Sequence, residues 1–352
     1  MISKQAGALP LLWVFLMLCC GVGCAPKPTP SSSTDEAPKA YRLLSKKEAS
    51  KWIVIDEKEQ FFDKVANLEM SIQLKQNLEE APRAEVLETY KKMLQTDLAD
   101  FSKEEKENVQ KIFDEALALC KQIKPDLNLP EIYLIKTEGK YYGPGVYYTR
   151  DNSIVIPAPM LKLDDEKKNA AFLSTMLHEI FHVYSRYNKD KRDAMYKRIG
   201  FEKLEDVALS AFLKERVLYN PDGVDLRYAI DVTVNKTGKK IKAIPVIYSR
   251  HKAYRADLPA FFGYLTFQLF EIRDRGGMWT VMNKDVGHSV EDVTGFWEQV
   301  GLNTRYNIHP DEICADNFVI MALAKKMKGE NIKKLSKDGQ QLVKELEEII
   351  KK

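Results

Sequence analysis

Hydrophobic positions between residues 45 and 124 recur with the spacing of amphipathic helices. In residues 104–123 they form one helical stripe, made of Val109, Ile112, Phe113, Ala116, Leu117, Cys120 and Ile123. Ser102, followed three residues later by Glu105, is typical of the capping box that begins a helix. A similar pattern covers residues 83–98. The polar and apolar pattern therefore predicts a helical section over residues 45–124.

Short apolar runs replace this periodicity after Pro125. Residues 132–135 predict a strand, and residues 146–149 and 154–156 predict a hairpin around a polar turn. A second hairpin is predicted where residues 226–234 and 240–248 flank the turn signal Asn-Lys-Thr-Gly. Strands thus follow helices along the chain.

Three further helices are predicted in this second part. One begins near Asp164, which we expect to cap it, and runs to about Tyr187. Another begins at Pro310 and continues to about Lys328, and a charged helix covers residues 333–352. Helices followed by strands and helices in mixed order predict an α+β fold with an N-terminal helical section.

The first 24 residues have a different character. Lys4 precedes an apolar run from Leu9 to Cys20, and small residues follow up to Cys24. These are the parts of a secretory signal, and the run is shorter than the about 20 residues that span a bilayer. The end of the segment resembles a bacterial lipobox, although Gly21 stands where Leu is usual. The resemblance implies acylation of Cys24, a membrane anchor and location in the cell envelope; an ordinary signal peptide or an uncleaved anchor over residues 6–24 are the alternatives.

The sequence is therefore divided into five parts. Residues 1–23 are the expected signal peptide, and residues 24–44, rich in Pro and Ser, an extended tether. The helical section covers residues 45–124, the expected catalytic domain residues 125–330, and a terminal helix residues 331–352. The helical section has four open roles: prodomain, cleft wall, partner surface or simple packing.

Composition restricts the class of protein. The 352 residues are 45% hydrophobic and 30% charged, which excludes a wholly disordered chain. A balance of 54 basic against 51 acidic residues gives a net charge of +3, too small to predict nucleic-acid binding. Only Cys120 and Cys314 follow the N-terminal cysteines, and they are either paired or buried as free thiols. The oligomeric state is left open.

The predicted helix around residue 180 contains His178-Glu179-x-x-His182. On a helix, positions i and i+4 share a face, so both imidazoles can reach one metal ion. The Glu between them can accept a proton from a water on that ion. The alternative is a helix with two ordinary polar His and a solvated Glu, but the apolar surroundings disfavour it, because buried polar groups need partners.

A third ligand is needed for a zinc site. An extended metzincin motif would require Gly at position 185 and His at position 188, where this chain has Ser185 and Asn188. Glu312 and Asp316 instead form Glu-x-x-x-Asp in the helix that begins at Pro310. With the first motif, this resembles the gluzincin metallopeptidases, the thermolysin-like class. His182 and Glu312 are 130 residues apart, more than in thermolysin itself.

The resemblance implies a zinc site with His178, His182 and Glu312 as ligands. It further implies Glu179 as general base and Asp316 as the residue that orients a zinc-bound imidazole, with His178 the expected one. Glu312 also has an ordinary explanation, since acidic residues favour the first turn of a helix. The implied oxyanion donor is a Tyr or His, and five candidates remain open: Tyr306, His309, His251, His288 and Tyr254.

These observations predict a zinc-dependent metallopeptidase anchored in the cell envelope, acting on peptide or protein substrates. By analogy with zinc peptidases of this general fold, we expect a strand between Tyr133 and Ile156 to lie along the cleft and pair with extended peptide. Two alternatives remain. The protein is a non-catalytic envelope lipoprotein that uses a zincin fold for binding or assembly, or a zinc hydrolase of cell-wall peptides.

Overall fold

The computed structural model describes residues 40–258, 260–282 and 285–352. The predicted signal peptide, Cys24 and most of the predicted tether lie outside the described residues. The described part of the chain is α+β and belongs to one compact unit. Within it, no helix combines the length and the apolar character needed to cross a membrane.

The helical section is confirmed as mainly helical and also contributes two strands. Its elements are β1 (Tyr41–Leu43), α1 (Lys46–Trp52), α2 (Phe61–Lys64), α3 (Asn67–Leu74), α4 (Arg83–Thr96), β2 (Leu98–Ala99) and α5 (Lys103–Ile123). The capping box of Ser102 and Glu105 is present at the start of α5. Residues 41–43, at the end of the range predicted as a tether, form β1, which pairs in parallel with residues 132–134.

The first sheet contains β3 (Ile132–Thr137), β4 (Tyr148–Arg150) and β5 (Ser153–Pro157). Its strand order is β1-β3-β5-β4, and β2 pairs with β3. β4 and β5 form the predicted hairpin, with a shorter turn than predicted. That turn contains Asp151, whose φ of 51° lies in the left-handed region that Asp tolerates better than most residues.

Helix α6 (Glu166–Tyr187) carries the His-Glu-x-x-His motif, as predicted, and α7 (Lys189–Arg198) follows it. The predicted cap, Asp164, is wrong by one residue. The side chain of Asp165 accepts the hydrogen bond from the backbone N–H of Lys168 at 2.7 Å, while Asp164 pairs with the Lys168 side chain.

The second sheet has seven strands in the order β12-β8-β9-β10-β11-β7, with β6 on β8. Its strands and the helix among them are β6 (Phe201–Lys203), β7 (Val207–Ala208), α8 (Ala211–Lys214), β8 (Tyr228–Val234), β9 (Lys239–Ser249), β10 (Leu265–Asp274), β11 (Trp279–Val281) and β12 (Val293–Thr294). The antiparallel β8–β9 pair is the second predicted hairpin.

The chain ends in three helices, α9 (Phe296–Val300), α10 (Pro310–Lys326) and α11 (Lys337–Lys351), and short 3-10 helices cover Ala158–Leu161, Phe261–Tyr264, Val290–Asp292 and Ile332–Lys334. Helices α5, α6, α10 and α11 share one large apolar core with the two sheets. Cys120 and Cys314 are both buried in it as free thiols. Their open pairing is thus settled in favour of free thiols.

A second apolar cluster joins the helical section to the first sheet. Tyr90 and Leu94 of α4 pack there with Ile135 of β3 and Val155 of β5. The buried ion pair between Arg192 and Glu59, at 2.7 Å, adds a polar link to α7. The helical section therefore packs as part of the same unit as the predicted catalytic domain.

Candidate metal centre and cleft

Helices α6 and α10 pack against each other and bring the two sequence motifs together. Phe181 and Phe318 pack between them with tilted rings whose centroids are 5.4 Å apart. Apolar residues on the contacting faces bury these helices, and the polar residues of the motifs lie at one end of the contact. His178 and His182 come from α6, and Glu312 comes from the first turn of α10, 130 residues after His182.

The two imidazoles converge on one carboxylate oxygen. His178 Nε2 lies 2.9 Å and His182 Nε2 lies 3.4 Å from Glu312 Oε2. The ligand atoms of the three residues all lie within 4.8 Å of one another. His182 Nε2 is buried and has no hydrogen-bond partner among the described residues. This is the spacing expected of three side chains that share one ion.

The opposite nitrogen of each imidazole faces an aspartate. His178 Nδ1 lies 3.0 Å from Asp316 Oδ1, and His182 Nδ1 lies 2.6 Å from Asp311 Oδ2. If each Nδ1–H donates to its carboxylate, each Nε2 presents a lone pair toward Glu312. Lone pairs and a carboxylate repel unless a proton or a metal ion lies between them, so the donor set fits a cation.

Asp311 was not predicted as a functional residue. It is buried and accepts further hydrogen bonds from Ser185 Oγ at 3.0 Å and Tyr196 Oη at 2.5 Å. It immediately precedes Glu312, so the acidic pair after Pro310 was visible in the sequence. The pair gave no indication of which carboxylate faces which nitrogen.

The electrostatics of the metal-free site indicate protonated imidazoles and an ionised Glu312. Burial alone would lower the pKa of His178, but hydrogen bonds to Asp316 and Glu312 outweigh it and raise that pKa to about 10. His182 shifts the same way, because Glu312, Asp222 and Asp311 outweigh its burial. The pKa of Glu312 falls, since the two imidazoles outweigh the opposing effect of burial.

Glu179 is placed beside this cluster without joining it. Its side chain is buried, and Oε2 makes no hydrogen bond within the described residues. Burial, followed by the nearby charge of Asp222, raises the pKa of Glu179 to about 8. A carboxyl group with a raised pKa and a free oxygen at the cleft has the properties of a general base.

The segment between α8 and β8 supplies two residues that sequence reasoning missed. Asn220 Nδ2 donates to Glu312 Oε1 at 2.5 Å. Asp222 Oδ1 accepts hydrogen bonds from the backbone N–H and the hydroxyl of Thr149, both at 2.6 Å. The segment packs tightly on His309, because a Cβ added at Gly223 would lie 2.1 Å from His309 Nδ1.

Asp222 also belongs to a second possible ligand set. One oxygen of Asp222, one of Glu179 and a nitrogen of His182 lie within 4.8 Å of one another. His182 Nδ1 is committed to Asp311, so its Nε2 can serve only one of the two sets. The set with His178 and Glu312 leaves Glu179 free, and for this reason we take it as the candidate metal centre.

The site lies in a cleft of about 750 Å³. Residues 140–147 form one wall, and His178, Glu179, Asp222 and Glu312 lie along the cleft surface. Lys75, directly after α3, also lines the cleft, so the helical section contributes to its wall. The residues before β4, the edge strand of the first sheet, run along the cleft, but they are not in a strand. We expected a strand between Tyr133 and Ile156 to lie along the cleft, and none of β3, β4 or β5 lines it.

The structure separates the five oxyanion candidates. Tyr306 lines the cleft, and its ring centroid lies 6.1 Å from that of His178. His309 instead caps α10, where its Nδ1 accepts from the backbone N–H of Asp311 at 3.1 Å. The other three do not line the described cleft: His251 contacts Tyr264, His288 bridges to β10, and Tyr254 packs on a small apolar cluster.

Comparisons of the chain with models of protein families, with curated proteins and with solved structures find no match. The α+β class is given by the elements themselves. Any statement about function therefore depends on the geometry and chemistry of the site.

Proposed function

We propose that the protein is a zinc-dependent metallopeptidase of the gluzincin type with a zincin-like fold. His178, His182 and Glu312 are the ligands and Glu179 is the general base. One observation carries the proposal: two imidazole Nε2 atoms face the same oxygen of Glu312, beside a buried Glu179 with an unpartnered oxygen. We further propose that it acts in the cell envelope, anchored by lipid on Cys24.

The donor set favours zinc over other common ions. Two imidazoles and one carboxylate are typical of catalytic zinc, whereas calcium and magnesium prefer oxygen ligands. Three protein ligands leave a position open for water or substrate. When bound, zinc would polarise the scissile carbonyl and lower the pKa of a water molecule.

The side chains of this protein would carry out the proton transfers and the positioning. Glu179 accepts a proton from the attacking water and passes it to the departing amine. Asp316 and Asp311 hold the two imidazoles by their Nδ1 atoms, and Asn220 holds Glu312. Tyr306 is the candidate that lines the cleft and has a hydroxyl to donate to the developing oxyanion.

Peptide is the substrate class that the cleft supports best. Its surface includes aromatic residues and the segment 140–147 that leads into the edge strand β4, where an extended chain could be accommodated. Peptides of proteins and of cell-wall cross-links share this backbone. Assays with both kinds of substrate would separate a general peptidase from the cell-wall hydrolase.

Replacement of Glu179 by Gln tests the proposal. The variant keeps nearly the same shape but cannot accept the proton, so we expect zinc to remain bound and hydrolysis to fall about 10²- to 10⁴-fold. Zinc content is measured by atomic spectroscopy, and hydrolysis with a fluorogenic peptide library. Glu166→Gln, an exposed change on the same helix, is the matched control and should leave both unchanged. Full activity of Glu179→Gln would contradict the mechanism, and so would a wild-type protein that cleaves no peptide with zinc bound.

A further inference from the structure

Asp222 lies where two cavities meet, and the catalytic steps do not use it. It lines the main cleft and also a smaller side pocket of about 80 Å³. The side pocket is largely apolar, with Leu218, Ile247, Leu265 and Ile308 in its wall. A carboxylate shared by both spaces lies at the mouth of the side pocket, in reach of any substrate that enters it.

One oxygen of this carboxylate is free. Both hydrogen bonds from Thr149 go to Oδ1, and Oδ2 accepts none from the described residues. Arg186 is the nearby cation, but it donates to Thr149 Oγ1 and to the backbone oxygens of Asp151 and Pro221. Asp222 is therefore held in place by Thr149 and has no ion-pair partner among the described residues, although it is partly buried, where an unpaired charge is less well solvated than at the surface.

A second observation points to a cationic ligand. Glu179 is 4% exposed, and its unpartnered Oε2 lies in the same region, with one oxygen of each carboxylate and a nitrogen of His182 within 4.8 Å of one another. Two neighbouring carboxylates repel each other. A substrate cation at Asp222 would relieve this repulsion and leave Glu179 for proton transfer.

The distances select the kind of cation. In an amino acid the α-nitrogen and the carbonyl carbon are about 2.5 Å apart, because only Cα separates them. An α-ammonium at Asp222 therefore brings the first carbonyl of the peptide close to Glu179 and His182. The amine of a lysine side chain lies about 6 Å from its own Cα, so it would carry the peptide bond away from the site.

We propose that Asp222 binds the free α-ammonium group of the substrate, so that the enzyme removes single residues with apolar side chains from peptide N-termini. This inference rests on the proposed function. Water adds to the first carbonyl carbon, the bond from that carbon to the next nitrogen breaks, and the proton passes to that nitrogen. The products are a free amino acid and a peptide shortened by one residue, with the apolar side chain held in the side pocket.

The first experiment uses the wild-type protein with zinc. Tetrapeptides with Leu, Lys or Asp followed by three Ala are offered with a free and with an acetylated N-terminus, and the products are identified by mass spectrometry. We expect the first residue to be released from the free Leu peptide. Acetylation should lower kcat/KM about tenfold to hundredfold, the range for loss of a charged hydrogen bond. Lys and Asp in first position should be poorer substrates.

The second experiment uses Asp222→Asn, with the exposed change Asp206→Asn as the matched control. Asn keeps an oxygen for Thr149 but loses the charge, so KM for the free Leu peptide should rise at least about tenfold. Any change in kcat that comes from the altered pKa of Glu179 should affect the free and the acetylated peptide alike, so the ratio of their KM values reports the role of Asp222. Binding is measured separately by calorimetry in the inactive Glu179→Gln background. There the preference for the free over the acetylated peptide should disappear when Asp222→Asn is added. Zinc content should stay unchanged.

The outcomes distinguish failure of the proposed role of Asp222 from failure of the proposed peptidase function. Equal cleavage of free and acetylated peptides at internal bonds would leave the peptidase proposal standing and overturn the role of Asp222. Loss of zinc from Asp222→Asn would make Asp222 a metal ligand and would likewise overturn it. If no peptide is cleaved, the proposed function fails, and the inference fails with it.

Discussion

Two neighbouring acidic residues at the start of α10 have different partners. Glu312 faces the Nε2 atoms of both imidazoles, whereas Asp311 reaches His182 Nδ1 from the other side of the ring. His182 is thus held between consecutive residues of one helical turn. Asp316, one turn later, holds His178 in the same manner. The aspartates that face the Nδ1 atoms of both rings therefore both come from α10.

Removing either aspartate should weaken zinc binding. Partners of this kind change metal affinity by about 10- to 100-fold in other zinc sites. We expect Asp311→Asn to cost more than Asp316→Asn, because Asp311 is buried with three donors while the Asp316 side chain is 32% exposed. Zinc dissociation constants are measured by competition with a chromophoric chelator.

The exposed change Asp190→Asn on α7 serves as the control for these variants. Its zinc affinity should equal that of the wild type. Equal affinities for all four proteins would show that the aspartates do not orient the ligands.

Zinc affinity should increase with pH. Without metal, the pKa of His178 is raised to about 10 from its ordinary value near 6.5, so near neutral pH a proton must leave before zinc binds. Each displaced proton should lower the apparent dissociation constant about tenfold per pH unit between about pH 7 and pH 9. Titrations across this range, with proton release followed in buffers of different ionisation enthalpy, measure the effect. A flat profile would contradict it.

The same pKa shift affects the stability of the metal-free fold, which should decrease as the pH rises. A group whose pKa is raised on folding contributes its full stabilisation below its unfolded pKa, here about 6.5. That contribution is lost as pH rises through about 10. Metal-free protein should accordingly become less stable over the range in which zinc binds more tightly.

At the scale of elements, the start of α6 distinguishes two adjacent aspartates. Asp165 caps the helix, whereas Asp164 makes an exposed ion pair with Lys168. Asp165→Ala should therefore lower the free energy of unfolding by about 1 kcal/mol, and Asp164→Ala should lower it clearly less. Urea denaturation followed by circular dichroism measures both. A larger loss of unfolding free energy for Asp164→Ala would show that Asp164 is the cap, as the sequence predicted.

Elements with strong local patterns were predictable from the sequence. The helical stripes predicted α5 and α6, the capping box predicted the start of α5, and Pro310 marked the start of α10. Turn residues between apolar runs predicted the two hairpins. Strand β1 escaped prediction because three residues carry no period, and it forms only by pairing with β3. The order of the seven-stranded sheet was equally hidden, since pairing between distant strands leaves no local signal.

The residues of the candidate site also fall into two groups, those that a local pattern predicts and those that only the folded chain brings together. His178, Glu179 and His182 could be predicted because helical spacing alone places them together. Asn220 and Asp222 could not, because they reach the site only when their segment packs on His309 and Thr149. No spacing rule connects Asn220 with Glu312, 92 residues later in the chain.

At the scale of the whole molecule, the candidate metal centre joins two helices of the main core. Zinc would bridge α6 and α10, which pack with α5 and the sheets in a single unit. An ion that binds only the folded chain stabilises it by about 4 kcal/mol when its concentration is 1,000 times the dissociation constant. We therefore expect zinc to raise the Tm of the entire protein and a chelator to lower it, as measured by calorimetry.

Glu312→Gln is the matched variant for this experiment, because it keeps the size of the side chain and removes the charged ligand. Its Tm should respond to zinc much less than that of the wild type. If zinc shifts both proteins equally, the stabilising ion binds elsewhere.

The hydrogen bond from Asn220 to Glu312 has a consequence for the choice of ion. Because Asn220 Nδ2 donates to Oε1, the oxygen of Glu312 that is better placed as a ligand is Oε2, the atom that both imidazoles face. The protein then supplies one oxygen and two nitrogens, a low coordination number with little room for a second carboxylate oxygen. If the site binds an ion as proposed, this arrangement would disfavour ions that require six to eight oxygens and favour small ions that accept four ligands. Asn220 would then influence the choice of ion without touching it.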